Sequence, residues 1–147
     1  MRLTTYTDIG LRALLYLAIQ PQGHISRISE VTEVYNVSRN HMVKVINQLT
    51  HAGLVRGMRG KGGGITLNRP AEEIFLGETI RLLEKHLDVV DCSHGNCILV
   101  GNCCLKDAFS EAMDAFLATL NQYTLADMVE DRQGLTQILQ INDAIPA

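Results

Sequence analysis

Two helix-like segments joined by a three-residue connection constrain the fold of this chain more than any other feature. The first runs from Ile28 to about Tyr35 and the second from Arg39 to His51, with Asn36-Val37-Ser38 between them. Asn tolerates the left-handed conformation that ends a helix, and Ser is a favoured N-cap residue. The pattern therefore predicts a helix-turn-helix, with Asn36 ending one helix and Ser38 beginning the next.

A glycine-rich turn flanked by two short apolar segments follows. The segments are Leu54-Val55-Arg56 and Ile65-Thr66-Leu67, and the turn is Arg59-Gly60-Lys61-Gly62-Gly63-Gly64. This arrangement predicts a β-hairpin, or wing, after a helix that ends at Gly53. The fold class is therefore mainly α with a small β-hairpin. Residues 1–70 should form a winged helix-turn-helix domain, with the helix-turn-helix at about 28–51 and the wing at about 54–68.

Helical patterns also precede and follow this unit. Thr7 is expected to cap a central core helix over Asp8 to Ile19, and Ser26 to cap the helix that starts at Ile28. Further helices are expected at about Leu76 to Leu87, at roughly Cys104 to Val129, and at Leu135 to Ile141.

The long helix carries an apolar seam with alternating spacings of four and three residues. The seam consists of Phe109, Met113, Phe116, Leu120 and Tyr123. Such a seam suits packing against a partner helix, and burial within the same chain is the alternative. We favour self-association, which makes residues 71–147 a helical dimerisation region with a loop at 88–104.

The charge is divided unevenly along the chain. Residues 1–70 hold nine Lys/Arg and three Asp/Glu, a net charge of +6, whereas residues 71–147 have a net charge of −9. A basic first half suggests a nucleic-acid-binding head, although chance segregation of surface charge is the alternative.

Polar and basic side chains cluster where a winged helix-turn-helix contacts DNA. On the second helix they can reach base edges and phosphates in a major groove, and on the wing they can reach phosphates or the minor groove. The alternatives are a solvated polar face and a protein-interaction module. The candidate DNA-binding residues are Ser38, Arg39, Asn40, His41, Lys44, Arg59, Lys61 and Gly62.

Four cysteines, Cys92, Cys97, Cys103 and Cys104, lie within 13 residues. In a cytosolic chain such clustering indicates metal binding or redox chemistry rather than a disulfide framework. The short Cys-x2–4-Cys knuckles of structural zinc and the common ferredoxin spacings are absent. The spacing thus predicts a thiolate metal or cluster site with three or four ligands, to which His86 or His94 could contribute. One of the adjacent pair Cys103 and Cys104 is expected to be a spare.

Enzymatic and membrane functions find no support in the sequence. It contains no P-loop, no Gly-x-Ser-x-Gly, and no paired-carboxylate or dinucleotide-binding signature. The longest apolar stretch, Leu11 to Ile19, contains Arg12 and is shorter than the roughly 20 residues of a membrane span. No signal pattern is present at the N-terminus, so a cytoplasmic location is expected.

Several segments resemble the winged-helix regulators that carry iron–sulfur clusters, and among them the nitric-oxide-sensitive repressors of the NsrR group. The resemblance covers nearly the whole chain. It rests on Thr7-Asp8-Ile9-Gly10-Leu11-Arg12-Ala13-Leu14, Val37-Ser38-Arg39-Asn40-His41-Met42-Val43-Lys44, the wing turn, the cysteine loop, and Asn121-Gln122-Tyr123-Thr124-Leu125-Ala126-Asp127.

The resemblance implies a homodimer in which Cys92, Cys97 and Cys103 hold an iron–sulfur cluster, 4Fe–4S in preference to 2Fe–2S. It also implies a fourth ligand, Asp8, from the other subunit, and no ligand role for Cys104. The related regulator of iron–sulfur assembly has a histidine where this chain has Lys106.

The expected function is that of a dimeric repressor that binds a palindromic double-stranded DNA operator and is released by nitric oxide. The alternatives are an iron–sulfur-status regulator of the same family and a zinc-stabilised DNA-binding protein without a sensing role.

Overall fold

The computed structural model describes residues 2–92, 97–99 and 102–141. Helices and one two-stranded hairpin make up this part of the chain. The helices are α1 (Thr5–Ile19), α2 (Ile28–Tyr35), α3 (Arg39–His51), α4 (Leu76–Leu83), α5 (Cys104–Leu120) and α6 (Arg132–Ile138). The strands are β1 (Val55–Met58) and β2 (Gly64–Leu67), and short 3-10 turns occur at Ala71–Glu73 and Asp127–Val129. The predicted fold class is confirmed.

Helix α1 is the central core helix, as its apolar sequence predicts. Ala13 and Leu14 are fully buried, and α1 packs against α2, α3, α4 and α6. The predicted start was wrong by three residues. Thr4, not Thr7, is the N-cap, because the Thr4 hydroxyl accepts a hydrogen bond from the Thr7 amide.

The helix-turn-helix forms as predicted, with α2 and α3 at the expected bounds. Asn36 adopts the left-handed conformation with φ of 49°, and Gly53 follows α3 with φ of 74°. Ser26 does not cap α2, since the N-cap position is Arg27. Instead, Ser26 forms an antiparallel bridge with Ile65 of the wing.

The hairpin is antiparallel, with Val55 opposite Leu67 and Met58 opposite Gly64. Its apolar residues Val55 and Ile65 are buried in the main core together with α1, α2 and α3. The wing is therefore anchored to the helical head at its base.

A second, smaller core lies between α4 and α5. Ile80 packs there with Met113 and Leu117, and Phe116 and Leu120 pack at its edge. Much of the predicted seam is thus used within the chain, although Tyr123 is exposed. Helix α5 ends at Leu120, not near Val129, because the chain turns back and pairs Phe75 with Thr124. Helices α4 and α6 also end earlier than predicted, at Leu83 and Ile138.

No helix among residues 2–92, 97–99 and 102–141 is long and apolar enough to cross a membrane.

Candidate nucleic-acid interface and cysteine pocket

Helix α3 separates its residues into a buried face and an exposed face. Met42, Val45, Ile46 and Leu49 are buried against the head. The exposed side of its first two turns, together with the N-cap, carries every candidate named from the sequence in this region: Ser38, Arg39, Asn40, His41 and Lys44. These side chains are therefore free to meet a ligand from solvent.

Val43 lies between the buried and the exposed face of α3. It is half-buried and lines a concave surface of about 410 Å³ together with Arg39, Asn40 and Lys44. Val43 lies four residues after Arg39 and three after Asn40, so helical spacing places the three side chains next to one another. An apolar side chain in such a polar setting can contact a thymine methyl group.

The wing presents its basic turn to solvent. Arg59, Lys61 and Gly62 are exposed. Gly60 and Gly62 have φ of 96° and 83°, a backbone conformation that residues other than glycine rarely adopt. Gly63 is required for a different reason, since a Cβ at that position would collide with the carbonyl oxygen of Met58. The turn is therefore narrow, which lets its backbone approach a ligand closely.

A cavity of about 590 Å³ lies between α3 and the wing. Arg39 and Arg59 line it, which places two of the predicted DNA-binding residues on one concave surface. Sequence reasoning missed Arg27, Asn47 and Thr50, which line the same cavity. Only the fold brings the start of α2 next to the wing, so no local pattern marks Arg27.

No ion pair in the part of the chain that the structure describes neutralises the basic side chains of this surface. Among the described residues, the ion pairs are Arg12 with Asp8 and Arg81 with Asp114, both outside this surface. Arg39, Lys44, Arg59 and Lys61 thus present uncompensated positive charge, which favours binding of a polyanion.

Another pocket, of about 300 Å³, lies beside the start of α5 and distinguishes Cys104 from the other three cysteines. Cys92, Cys97 and Cys103 line it, whereas Cys104 is exposed and does not. Lys106 and Asp107 also line the pocket from the first turn of α5. The three lining thiols are the same three that were expected to act as ligands.

Cys103 is the N-cap of α5, and its carbonyl oxygen accepts hydrogen bonds from the amides of Lys106 and Asp107. The positive end of the helix and the Lys106 ammonium both favour negative charge at this end of the pocket. Thiolates are soft ligands that suit iron–sulfur clusters and zinc. Within the described ranges, however, no three His, Cys, Asp or Glu side chains converge closely enough to hold a metal ion.

His94 lies outside the described residues, so its predicted contribution has no structural account. His86 is exposed.

Asp8 lies in the first turn of α1 and forms a two-point ion pair with Arg12. Nε and Nη2 of Arg12 each lie 3.0 Å from one of the carboxylate oxygens of Asp8. The Arg12 guanidinium also lies 5.8 Å from the centre of the Tyr35 ring. The pKa of Tyr35 is raised to about 12, mainly because the ring is partly buried. Half of the Asp8 side chain is exposed, and such surface pairs contribute only about 0–1 kcal/mol. The carboxylate could therefore change partners at little cost.

Solved structures with the same fold include several bacterial regulators. CymR (YrzC), the global cysteine regulator of B. subtilis, has a TM-score of 0.72 at 24% identity, covering 88% of this chain and 97% of that one. IscR of T. potens has a TM-score of 0.72 at 24% identity, covering 92% and 90%. The oxidized form of Staphylococcus aureus CymR has a TM-score of 0.70 at 29% identity, covering 88% and 97%.

The sequence profile of the Rrf2 family, described as an iron-dependent transcriptional regulator, matches residues 3–131. This range includes both the helix-turn-helix with its wing and the cysteine segment. The chain therefore belongs to the Rrf2 family of transcriptional regulators.

Proposed function

We propose that this chain is a homodimeric, DNA-binding repressor whose operator affinity depends on an iron–sulfur cluster that responds to nitric oxide. The observation that carries the proposal is the division of the cysteines. Cys92, Cys97 and Cys103 line one pocket, and Cys104 lies outside it. This division matches the ligand set that the family resemblance implies.

The DNA-binding part of the proposal rests on the exposed basic surface of α3 and the wing. Ser38, Arg39, Asn40, His41 and Lys44 would face a major groove, and Arg59, Lys61 and Gly62 would contact phosphates or the minor groove. Two copies of α3 in a dimer would read two half-sites about one helical turn apart, which requires a palindromic operator.

The cysteine pocket has donors that suit a cluster. The three thiolates would bind iron, while the N-terminus of α5 and Lys106 would stabilise the negative charge of the assembly. When bound, the cluster would supply iron that nitric oxide can attack. In this proposal the fourth ligand is Asp8 of a second copy of the chain. To bind the cluster, the Asp8 carboxylate would have to break its ion pair with Arg12.

Absorption spectroscopy of an anaerobic preparation tests the cluster directly. We expect a brown protein containing iron and acid-labile sulfide, in a ratio that separates 4Fe–4S from 2Fe–2S. A colourless protein with stoichiometric zinc would show instead that the pocket is a structural zinc site.

Single substitutions test the ligand set. Cys92→Ala, Cys97→Ala and Cys103→Ala should each remove the colour while the helical circular dichroism is retained. Cys104→Ala is the matched control and should keep the colour. Loss of the cluster in Cys104→Ala but not in Cys103→Ala would show that the ligands are misassigned.

Mixed dimers test whether Asp8 acts between subunits. An Asp8→Ala chain combined with a Cys92→Ala chain should hold one cluster, because one site then has intact cysteines and an intact Asp8. If Asp8 acts within its own chain, both sites are damaged and no stable cluster forms. Normal clusters in the Asp8→Ala homodimer would remove Asp8 from the site.

Nitric oxide titration tests the sensing role. The holo-protein first selects a duplex from a random-sequence library, and binding to that duplex is then followed as nitric oxide is added. Loss of cluster absorbance and release of DNA should run in parallel. Unchanged affinity after complete bleaching would exclude nitric oxide as the signal and favour a regulator of iron–sulfur status.

A further inference from the structure

Ser26, two residues before the start of α2, is hydrogen-bonded to the wing. The Ser26 amide donates to the Ile65 carbonyl at 3.0 Å, and the Ile65 amide donates to the Ser26 carbonyl at 2.8 Å. Ser26 is fully buried, and a Cβ on Gly64 would collide with its carbonyl oxygen. The segment that leads into α2 therefore forms an additional short edge of the hairpin.

Arg27 follows Ser26 directly, so its backbone position is set by this bridge. Its amide also donates a 2.9 Å hydrogen bond to the Glu30 carboxylate, which fixes the start of α2. The Arg27 side chain is exposed and lines the cavity of about 590 Å³ between α3 and the wing. The fold thus holds a guanidinium at this place relative to the wing.

Three arginines from three separate elements share that cavity: Arg27 at the start of α2, Arg39 at the start of α3, and Arg59 in the wing turn. None of them forms an ion pair among the described residues. Like charges gathered on one concave surface repel each other, and an anionic ligand relieves that repulsion.

The rest of the cavity lining indicates what kind of anion fits. Ile28, Ile46, Met58 and Ile65 supply apolar surface, and Ser29, Asn47 and Thr50 supply uncharged hydrogen-bonding groups. A sugar–phosphate backbone combines repeated charge with less polar deoxyribose, and such side chains commonly contact it. Charges from three separate elements on so large a surface suit an extended anion with repeated charges.

We propose that Arg27 is an additional backbone-binding residue, which acts with Arg39 and Arg59 on one sugar–phosphate segment held between α3 and the wing. This inference rests on the proposed function in DNA binding. It adds a contact from the start of α2, and that contact carries no sequence information.

Salt dependence of DNA binding tests the inference without knowledge of the operator. The probe is a random-sequence duplex of about 30 bp, or about three helical turns, which is titrated with the purified protein at several salt concentrations. Each phosphate contact contributes roughly 0.9 to the slope of log affinity against log salt. Arg27→Ala should lower the slope by about one and weaken binding roughly five- to tenfold near 0.1 M salt.

Arg27→Lys should restore most of the slope, because it keeps the charge at the same position. Arg69→Ala is the matched control. Arg69 is an exposed arginine that lines a different cavity with Glu73 and Glu78. Its loss should leave the slope unchanged. Circular dichroism verifies that each variant is folded.

A wild-type slope in Arg27→Ala, with a reduced slope in Arg39→Ala, would overturn the inference and leave the proposed DNA-binding function in place. Absence of salt-dependent DNA binding by the unaltered protein would overturn both.

Discussion

The side-chain amide of Gln48 on α3 donates a 2.6 Å hydrogen bond to the carbonyl oxygen of Leu82 on α4. The amide oxygen of Gln48 accepts a 2.8 Å hydrogen bond from the hydroxyl of Tyr6 on α1. The same hydroxyl lies 3.1 Å from the carbonyl oxygen of Lys44. The helix that carries the candidate DNA-reading residues is thus joined by one side chain to α1 and to the end of α4.

We expect Gln48→Leu to destabilise the fold by about 1–3 kcal/mol, since it removes the donor to the Leu82 carbonyl oxygen and the shorter of the two acceptor contacts of the Tyr6 hydroxyl. Urea denaturation measures the change. Gln137→Leu, at an exposed position on α6, is the control and should change the free energy of unfolding by less than about 0.5 kcal/mol. Equal effects of the two substitutions would show that the Gln48 bonds contribute nothing net.

Glu84 makes the stability depend on pH. Burial acts to raise the pKa of Glu84, but hydrogen bonds to its Oε2 from the Thr4 amide and from the Thr7 and Thr4 hydroxyls outweigh burial and lower the pKa. A lowered pKa in the folded state means that the carboxylate stabilises the fold above its ordinary pKa of 4.5. That stabilisation is lost as the pH falls through the lowered value.

Free energies of unfolding, measured at neutral pH and at successively lower pH values, test whether the ionised Glu84 carboxylate stabilises the fold. Glu84→Gln should be less stable than the unaltered protein at neutral pH, and the difference should shrink below pH 4.5. Glu111→Gln, at an exposed position on α5, should show no such convergence. A constant difference at every pH would contradict the assignment to the Glu84 carboxylate.

Arg132 closes the C-terminal end of α1. Its Nη2 donates to the carbonyl oxygens of Ala18 and Gln20, both at 2.7 Å. These carbonyls have no helical partner, and a cation at this end of a helix is favourable. We expect Arg132→Ala to cost about 1–3 kcal/mol in thermal or urea denaturation.

Arg81→Ala is the comparison for Arg132→Ala. Arg81 forms a 3.8 Å ion pair with Asp114, and both side chains are well exposed. Its removal should cost only about 0–1 kcal/mol. If Arg81→Ala lowers the free energy of unfolding as much as Arg132→Ala does, the hydrogen bonds from Arg132 to the two carbonyl oxygens contribute no more than an exposed ion pair.

Val43 should read thymine methyl groups if α3 enters a major groove. Replacing thymine by uracil in a selected duplex removes the methyl group alone. At a contacted position, this replacement should weaken binding by the unaltered protein and have a smaller effect on Val43→Ala. Identical effects on both proteins at every thymine would exclude the contact.

The local part of the fold could be predicted from the sequence because its signals are local. The left-handed Asn36 and the glycines of the wing turn determine where the chain bends, whatever packs against them. The exposed face of α3 follows from helical spacing in the same way.

Long-range contacts explain the predictions that were wrong. Thr4 begins α1 because Glu84, eighty residues away, holds its amide and hydroxyl. Ser26 is drawn into a bridge with Ile65, so Arg27 takes the N-cap position. Capping rules consider only neighbouring residues, and at both sites a distant partner decides the outcome.

The end of α5 was missed for a similar reason. The side-chain oxygen of Asn121, directly after α5, accepts a 2.9 Å hydrogen bond from the amide of Glu78. This bond attaches the end of α5 to the first turn of α4. The apolar periodicity continues past this point, whereas the helix does not.

The grouping of Cys92, Cys97 and Cys103 around one pocket also depends on the fold, since their spacing leaves several ligand sets open.

The C-terminal half of helix α5 packs on α4 through Met113 and Leu117, and the turn that follows the helix is also bonded to α4 and its neighbouring residues. Near its C-terminus, Leu76 and Leu125 form backbone hydrogen bonds with Tyr123 and Ile74 at 3.1 and 2.8 Å. Its first residues, Cys104 to Asp107, are exposed. The 17 residues of α5 span about 25 Å, so Cys103 lies about that far from the turn that follows Leu120. A rotation of α5 by about 5° about that turn would displace Cys103 by about 2 Å, so the geometry of the cysteine pocket is sensitive to how α5 packs on α4.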